Sequence, residues 1–478
     1  MAGSRAWSTG AATVDINGDG LLDLYVTNSG DGEDRRNELF INNGDGTFSE
    51  RAAEYGLDDN GHSIMAYFFD YDGDGRPDMY LVNNKAEDSG NFDLSNNLRD
   101  TRHGPGGDRL YRNEGDTFRD VTEEAGIYSS IIAFGLSAAI SDLNRDGRPD
   151  IFVANDFFER DYIYMNQGDG TFAEVGGEED RFRSMSAASM GSDIADLTNN
   201  GWPDMYVADM LPFDEKRVKT VTLFEGWERY QQKVEWDYGH QLTRNMLHFN
   251  EGGGRYREVG RLAGIQATDW SWAVLLADFD NSGFNDIFVT NGLLQDITNI
   301  DYLQDISAEE TMRTVIQEEG VNYEELIRRI PSVPVRNVMF ANRGQLSFED
   351  VSERWGLGLP TFSSGAAWAD FDGDGSLDLL ISEVDGAPLL YRNHAAERRP
   401  EHRWLQLELR GESPNTQALG AQLDVWADGQ QWYREHYLQR GFQSSVEPGL
   451  AYRAGCHHPA GFTAAALARR THHAHGRC

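Results

Sequence analysis

The sequence predicts an all-β protein: a β-propeller of six to seven blades over residues 1–395, then a small β-sandwich-like unit over 401–450. Two observations carry this. A nine-residue, aspartate-rich pattern recurs six times, and after each copy the same order of short apolar runs and glycine turns returns. Composition agrees, because 51 Gly and 11% aromatic residues in 478 suit many short strands joined by tight turns.

The pattern is Asp-x-(Asp/Asn/Thr)-x-(Asp/Asn/Ser)-Gly-x-x-Asp, beginning at Asp15, Asp70, Asp142, Asp196, Asp278 and Asp370. Each copy leads into a β-forming run such as Leu24-Tyr25-Val26 or Ile287-Phe288-Val289, which reads as a buried strand. A second run follows and ends in Asn, as in Leu39-Phe40-Ile41-Asn42, Tyr164-Met165-Asn166 and Leu390-Tyr391-Arg392-Asn393. Most copies continue through a glycine turn to a Phe, for example Gly168-Asp169-Gly170-Thr171-Phe172, which is a hairpin signal. Each unit therefore holds about four strands. Such sheets repeated around an axis leave only short, protected edges, so a propeller follows.

Two stretches interrupt the repeat. Residues 212–244 are polar and aromatic; residues 296–334 contain a helical pattern over 301–330, with Ile306, Met312, Val315 and Ile316 on one face.

The loop chemistry points to calcium, which takes six to eight oxygen ligands. Positions 1, 3, 5 and 9 offer side-chain oxygens, position 7 its backbone carbonyl, and Gly at position 6 allows the turn. The expected ligands, with up to six Ca²⁺ in all, are Asp15, Asn17, Asp19, Leu21 and Asp23 in the first loop, then Asp70, Asp72, Asp74, Arg76 and Asp78. The third and fourth loops supply Asp142, Asn144, Asp146, Arg148 and Asp150, and Asp196, Thr198, Asn200, Trp202 and Asp204. The last two supply Asp278, Asp280, Ser282, Phe284 and Asp286, and Asp370, Asp372, Asp374, Ser376 and Asp378. Fewer carboxylates mean weaker binding, so the Asp196 loop is expected to be the weakest site. An EF-hand shares the first half of the pattern but needs Glu at position 12. Here position 12 is Val26, Leu81, Val153, Val207, Val289 and Ile381, so that reading fails. The competing structural reading is that Asp-Gly turns are simply good turns.

A net charge of −37 excludes a nucleic-acid backbone as partner, since that needs basic patches. No apolar run long enough to span a membrane occurs. The only cysteines, Cys456 and Cys478, imply no disulfide framework. Lysine is confined to Lys85, Lys216, Lys219 and Lys233, which hints at a salt-adapted, arginine-preferring source.

The loops and their order resemble the FG-GAP/VCBS repeats of integrin-α-type propellers. They resemble more closely the VCBS-repeat proteins that end in an ASPIC/UnbV domain, the cartilage acidic protein-like group. The likeness runs over about residues 7–450 and includes Trp7-Ser8-Thr9-Gly10, Asp209-Met210-Leu211-Pro212, Thr268-Asp269-Trp270-Ser271-Trp272 and Arg440-Gly441-Phe442-Gln443-Ser444-Ser445. It implies an exported or cell-surface, Ca²⁺-stabilised binding or adhesion protein for a protein or glycan partner. It carries no catalytic residue over to this chain.

Against that pattern, no signal peptide is visible and the chain begins inside a repeat, as if upstream sequence were missing. The tail after Leu450 is rich in Ala, His and Arg where the family continues with Gly-Leu-Gly and Trp-Pro-x-Gly. A one-base frameshift near Leu450 can restore both, which would make His457, His458, His472, His473 and His475 accidental rather than a metal site.

Two other functions stay open. One is a propeller enzyme, a lyase or hydrolase of polysaccharide, with His62, His103, His240 or His248 as base; no GxSxG, HExxH or P-loop motif supports it. The other is a purely structural subunit of a surface complex. Trp227, Trp236, Trp270 and Trp272 are candidate aromatic contacts for a partner, or else packing residues.

Overall fold

In the computed structural model each aspartate loop joins the first two strands of an antiparallel sheet, and six such sheets form the blades of a propeller. The residues described are 7–84, 97–178, 180–223, 225–307, 316–317, 320–321, 323–399, 405–427, 430–448, 450–452, 463–466 and 473–477. The inner strands are Ser8–Val14, Ser63–Phe69, Gly135–Ser141, Ser192–Ala195, Ser271–Ala277 and Ser363–Ala369. They pack on one another in that order. Small residues dominate them because they converge. Gly191 is an extreme case: a Cβ there would lie 1.9 Å from the carbonyl oxygen of Trp272.

Blades 1 to 5 have four strands, and the second and third strands carry the apolar runs expected from sequence. In blade 1, Asp23–Asn28 pairs with Glu38–Asn42, with Leu24 opposite Phe40. The outer strands are three residues long: Phe48–Glu50, Phe118–Asp120, Phe172–Glu174, Tyr256–Glu258 and Phe348–Asp350. Blade 6 has only three strands among the described residues, ending at Leu389–Tyr391. The apolar core lies between adjacent blades, with Tyr25, Phe68, Tyr80, Tyr206 and Phe288 fully buried.

The first insertion folds as helices Glu215–Val221 and Trp227–Glu235, and Arg217 ties the first helix to blade 5 through Asp269 (2.5 Å) and Asp296 (3.2 Å). The second differs from the single amphipathic helix expected. Helices Ile300–Ser307 and Tyr323–Arg329 flank a short hairpin of Ile316–Gln317 with Gly320–Val321. Gly320 sits inside the expected helix, where glycine costs about 1 kcal/mol relative to alanine. Met312 and Val315 lie outside the described residues.

Beyond the blades, two three-stranded sheets form. Leu405–Arg410 pairs with Leu450–Tyr452 and His473–Arg477; Gln422–Ala427 pairs with Gln430–Glu435 and Thr463–Ala466. The segment 435–447 touches the inner strand of every blade. Gln439 donates to Thr13 O (2.9 Å) in blade 1 and accepts from Phe68 N (3.1 Å) in blade 2. Glu435 accepts from Asp142 N (2.8 Å) in blade 3, and Arg440 pairs with Asp193 (2.7 Å) in blade 4. Gly441 abuts blade 5, where a Cβ would lie 3.2 Å from Val274 O; Glu447 accepts from Asp370 N (2.9 Å) in blade 6.

Candidate metal centres

All six loops fold alike, and hydrogen bonds inside the motif explain why. The first Asp turns one oxygen to the N–H of Gly at position 6, at 2.8 Å for Asp15, Asp196 and Asp278. The residue at position 5 accepts from the N–H of position 7, as in Asp19 to Leu21 (2.8 Å), Asp74 to Arg76 (2.9 Å), Asn200 to Trp202 (2.8 Å) and Asp374 to Ser376 (2.7 Å). The last Asp accepts two backbone N–H groups, one from position 2 and one from the Asn that ends the third strand. For Asp150 these are Leu143 (3.0 Å) and Asn166 (2.8 Å). A carboxylate oxygen that accepts one such bond keeps a lone pair for a cation.

Three loops bring three carboxylate oxygens within 4.8 Å of one another: Asp70, Asp72 and Asp78; Asp278, Asp280 and Asp286; Asp370, Asp372 and Asp374. Burial and mutual repulsion disfavour charge on Asp70 and Asp286. Burial pushes Asp70 up to about 6, with Asp74 and Asp72 adding to it. Asp286 is raised well above the usual range by burial and by Asp280 and Asp278. Asp70 Oδ1 and Thr198 Oγ1 are buried without a hydrogen-bond partner. Desolvated carboxylates facing one another, with an orphaned oxygen among them, are a donor set that suits a hard cation such as Ca²⁺.

The loops at Asp15 and Asp142 close differently. Asn17 and Asn144 turn their amide N–H to Asp19 and Asp146 (3.0 Å each). The C-terminal region supplies donors to the first aspartates: Thr416 to Asp15, and Gln422 to Asp142 (2.7 Å). Arginines reach other loop acids, with Arg76 on Asp74, Arg148 on Asp146, Arg343 and Arg399 on Asp280, and Arg392 on Asp372. Arg76 and Arg148 belong to the loops themselves, whereas motif spacing does not reveal Thr416, Gln422, Arg343, Arg392 and Arg399, which come from elsewhere in the chain.

Of the four histidines considered as bases, three make local packing or hydrogen-bond contacts, and His62 lines a cavity at the ends of the inner strands opposite the loops. His248 is buried, and burial pushes it down to about 4. His103 Nδ1 accepts from Gly106 N (2.9 Å), and His240 Nδ1 meets the Tyr230 hydroxyl (2.7 Å). Trp270 and Trp272 pack against the blade 4 to 6 core, with Trp272 Nε1 bonded to Gly292 O (2.7 Å). Trp236 is half-buried. Trp227 alone of the four is exposed, at 67%, and stacks on Tyr230.

The FG-GAP-like repeat family matches residues 5–81, 100–153 and 142–207, and the ASPIC and UnbV family matches 411–452. The chain is a β-propeller in which FG-GAP-like repeats match up to residue 207, and it carries an ASPIC/UnbV segment. It is homologous to human cartilage acidic protein 1, with 24% identity over 405 residues, covering 78% of this chain and 56% of that protein. It is also homologous to mouse integrin alpha-7, with 40% identity over 94 residues, covering 17% of this chain and 7% of the integrin. The chain thus spans a small part of the integrin and about half of the cartilage protein. Among solved structures, an Agrocybe aegerita lectin that recognises non-reducing terminal N-acetylglucosamine aligns at 17% identity over 81% of both chains, with a TM-score of 0.39. Among the described residues no helix is long and apolar enough to cross a membrane.

Proposed function

We propose that this chain is an exported, calcium-loaded propeller that serves as a non-enzymatic binding or adhesion scaffold for a protein or glycan partner. The observation that carries the reading is the repeated loop: one oxygen-rich cradle at the same place in all six blades, three of them with closed carboxylate clusters. The homologues named above are an integrin subunit and cartilage acidic protein, which supports the scaffold reading. The loops occupy one face. The opposite ends of the inner strands open into a cavity of about 920 Å³, with Trp7, Ile64, Phe134, Trp272 and Leu294 among its walls and Phe442 and Gln443 from the C-terminal region contributing to it. That cavity is the surface we assign to a partner in this reading.

The test is thermal unfolding of metal-stripped protein during Ca²⁺ titration, with Mg²⁺ as control. A ligand at a hundredfold excess over its Kd adds about 2.7 kcal/mol per site. A Ca²⁺-specific rise in Tm is expected, and it should fall more for Asp372→Asn than for Thr198→Ala, since the Asp196 loop has the fewest charges. No Ca²⁺-specific shift would sink the metal assignment. Release of reducing ends from polysaccharides in calcium buffer would instead establish the enzyme reading.

A further inference from the structure

The first aspartate organises each loop turn, and in two loops it is also gripped from outside the loop. In the loop at Asp15, Gln417 Oε1 accepts the backbone N–H of Asp15 (2.8 Å), and the Thr416 hydroxyl donates to Asp15 Oδ2. The loop at Asp142 is held at the same two atoms. Glu435 Oε1 accepts the N–H of Asp142 (2.8 Å), and Gln422 Nε2 donates to Asp142 Oδ2 (2.7 Å). From within the loops, Gly20 N (2.8 Å) and Gly147 N (2.6 Å) donate to these same oxygens. Both aspartates are buried, at 1% and 0% exposure. An oxygen that takes two donors from fixed directions holds the plane of its carboxylate.

The grip extends past the aspartates. A Cβ on Gly18 would lie 2.6 Å from Ser413 Oγ and 3.0 Å from Pro414 Cα, so the backbone of the first loop runs against residues 413–414. Arg145, at position 4 of the Asp142 loop, bonds Asp424 (2.8 Å), and its guanidinium lies over the Tyr433 ring, 4.0 Å from the centroid.

These two loops share a weakness. Position 3 is Asn17 in one and Asn144 in the other, so each has three carboxylates where the loops at Asp70 and Asp370 have four. The closed carboxylate clusters lie in the loops at Asp70, Asp278 and Asp370. A site with fewer charged ligands depends more on how firmly the remaining ones are held. Outer hydrogen-bond partners that orient a ligand are worth about 10- to 100-fold in metal affinity.

We propose that Thr416 and Gln422 are positioning residues for the cations of the Asp15 and Asp142 loops, and that binding at these two loops fastens the C-terminal region to the blades. Each acts through an aspartate, whose Oδ2 it holds. The effect is reciprocal: if seating residues 413–435 raises cation affinity, the cation stabilises that seating by the same factor. The inference deepens the calcium reading and rests on it.

The test uses Thr416→Val and Gln422→Met, which remove the donors and keep the size of two half-buried side chains. Calcium is titrated calorimetrically into the metal-stripped full chain. Thr416→Val should weaken one of the bound ions at least about tenfold, Gln422→Met a different one, and the double variant both, while the rest keep their affinity. Thr416→Ser retains the hydroxyl and should restore the first. Amide exchange gives a second readout at Gly420 and His436, whose N–H groups bond within the C-terminal region. Ca²⁺ should slow both in the wild type and less so in the double variant. Wild-type affinity for every ion in the double variant overturns the proposal. A uniform loss across all ions also overturns it, since a loosened fold would give that, and so does exchange that ignores Ca²⁺. A wild type that binds no Ca²⁺ sinks the calcium reading and this inference together; normal binding with unaltered variants sinks this inference alone.

Discussion

Asp161 lies five residues before the Asn that ends the third strand of blade 3, and three other blades have Asn at that place. Each side chain accepts the N–H of the residue at the end of the second strand: Asn37 from Asn28 (2.8 Å), Asn337 from Asn291 (2.9 Å), Asp161 from Asn155 (2.9 Å). A carboxylate serves there at an electrostatic cost. Burial pushes Asp161 up to about 7 and Asp108, its counterpart in blade 2, up to about 6, from an ordinary value of 3.8. A raised carboxyl binds more protons folded than unfolded, so its contribution falls as pH climbs from about 4 to about 7 and is flat above that. Asp161→Asn keeps the acceptor and places an amide N–H on Ser189, as Asn37 does on Ser63 (2.9 Å). The variant should gain on the order of 2 kcal/mol over wild type at pH 8 and little at pH 4. Urea unfolding at the two values measures this, and an equal difference at both would contradict it.

At the scale of the element, the terminal Asn of the third strand joins loop to blade and blade to blade. Asn166 donates to Pro149 O in its own loop (3.2 Å) and to Tyr71 O in the preceding blade (2.8 Å). Asn250 does the same with Pro203 O and Leu143 O (3.0 Å each), Asn342 with Asn285 O (2.9 Å) and Leu197 O (2.8 Å). Asn393 bonds Leu377 O (3.0 Å) and Phe279 O (2.7 Å). Its recurrence is visible in the sequence, but its purpose is not, because the second carbonyl belongs to the blade before. Removing it leaves buried carbonyls unpaired. Asn342→Ala should therefore cost about 2–4 kcal/mol, read as a lower urea midpoint at unchanged slope. A loss within about 0.5 kcal/mol would mean the carbonyls find other donors.

At the scale of the molecule, the two ends of the blade series, Ser8–Val14 and Ser363–Ala369, do not pack on one another as their neighbours do. The C-terminal segment bridges them: Gln443 O accepts from Ala11 N (3.4 Å) and Glu447 N donates to Trp368 O (3.2 Å). Arg440 and Asp193 form a largely buried pair at the centre of this contact, with side chains 14% and 3% exposed. Arg440→Ala strands a buried carboxylate, so a loss of about 3 kcal/mol is expected, with the blades and the C-terminal sheets still melting together. Two resolved transitions in calorimetry of the wild type would show instead that the C-terminal region folds apart from the blades.

The six loops, the strand order and the exclusion of an EF-hand are legible in the chain because their interactions close within a few residues. Asp15 accepts from Gly20, five residues on, and Asp23 from Ile16, seven residues back. Such bonds leave a spacing that can be read. The presence of three closed carboxylate clusters, and the reach of Arg343, Arg399, Thr416 and Gln422 to the loops, are decided by tertiary structure. Gln439 meets Thr13 across 426 positions and Gln422 meets Asp142 across 280. Contacts of that separation impose no local period, so only the folded chain, where burial and desolvation act on all six blades together, determines them.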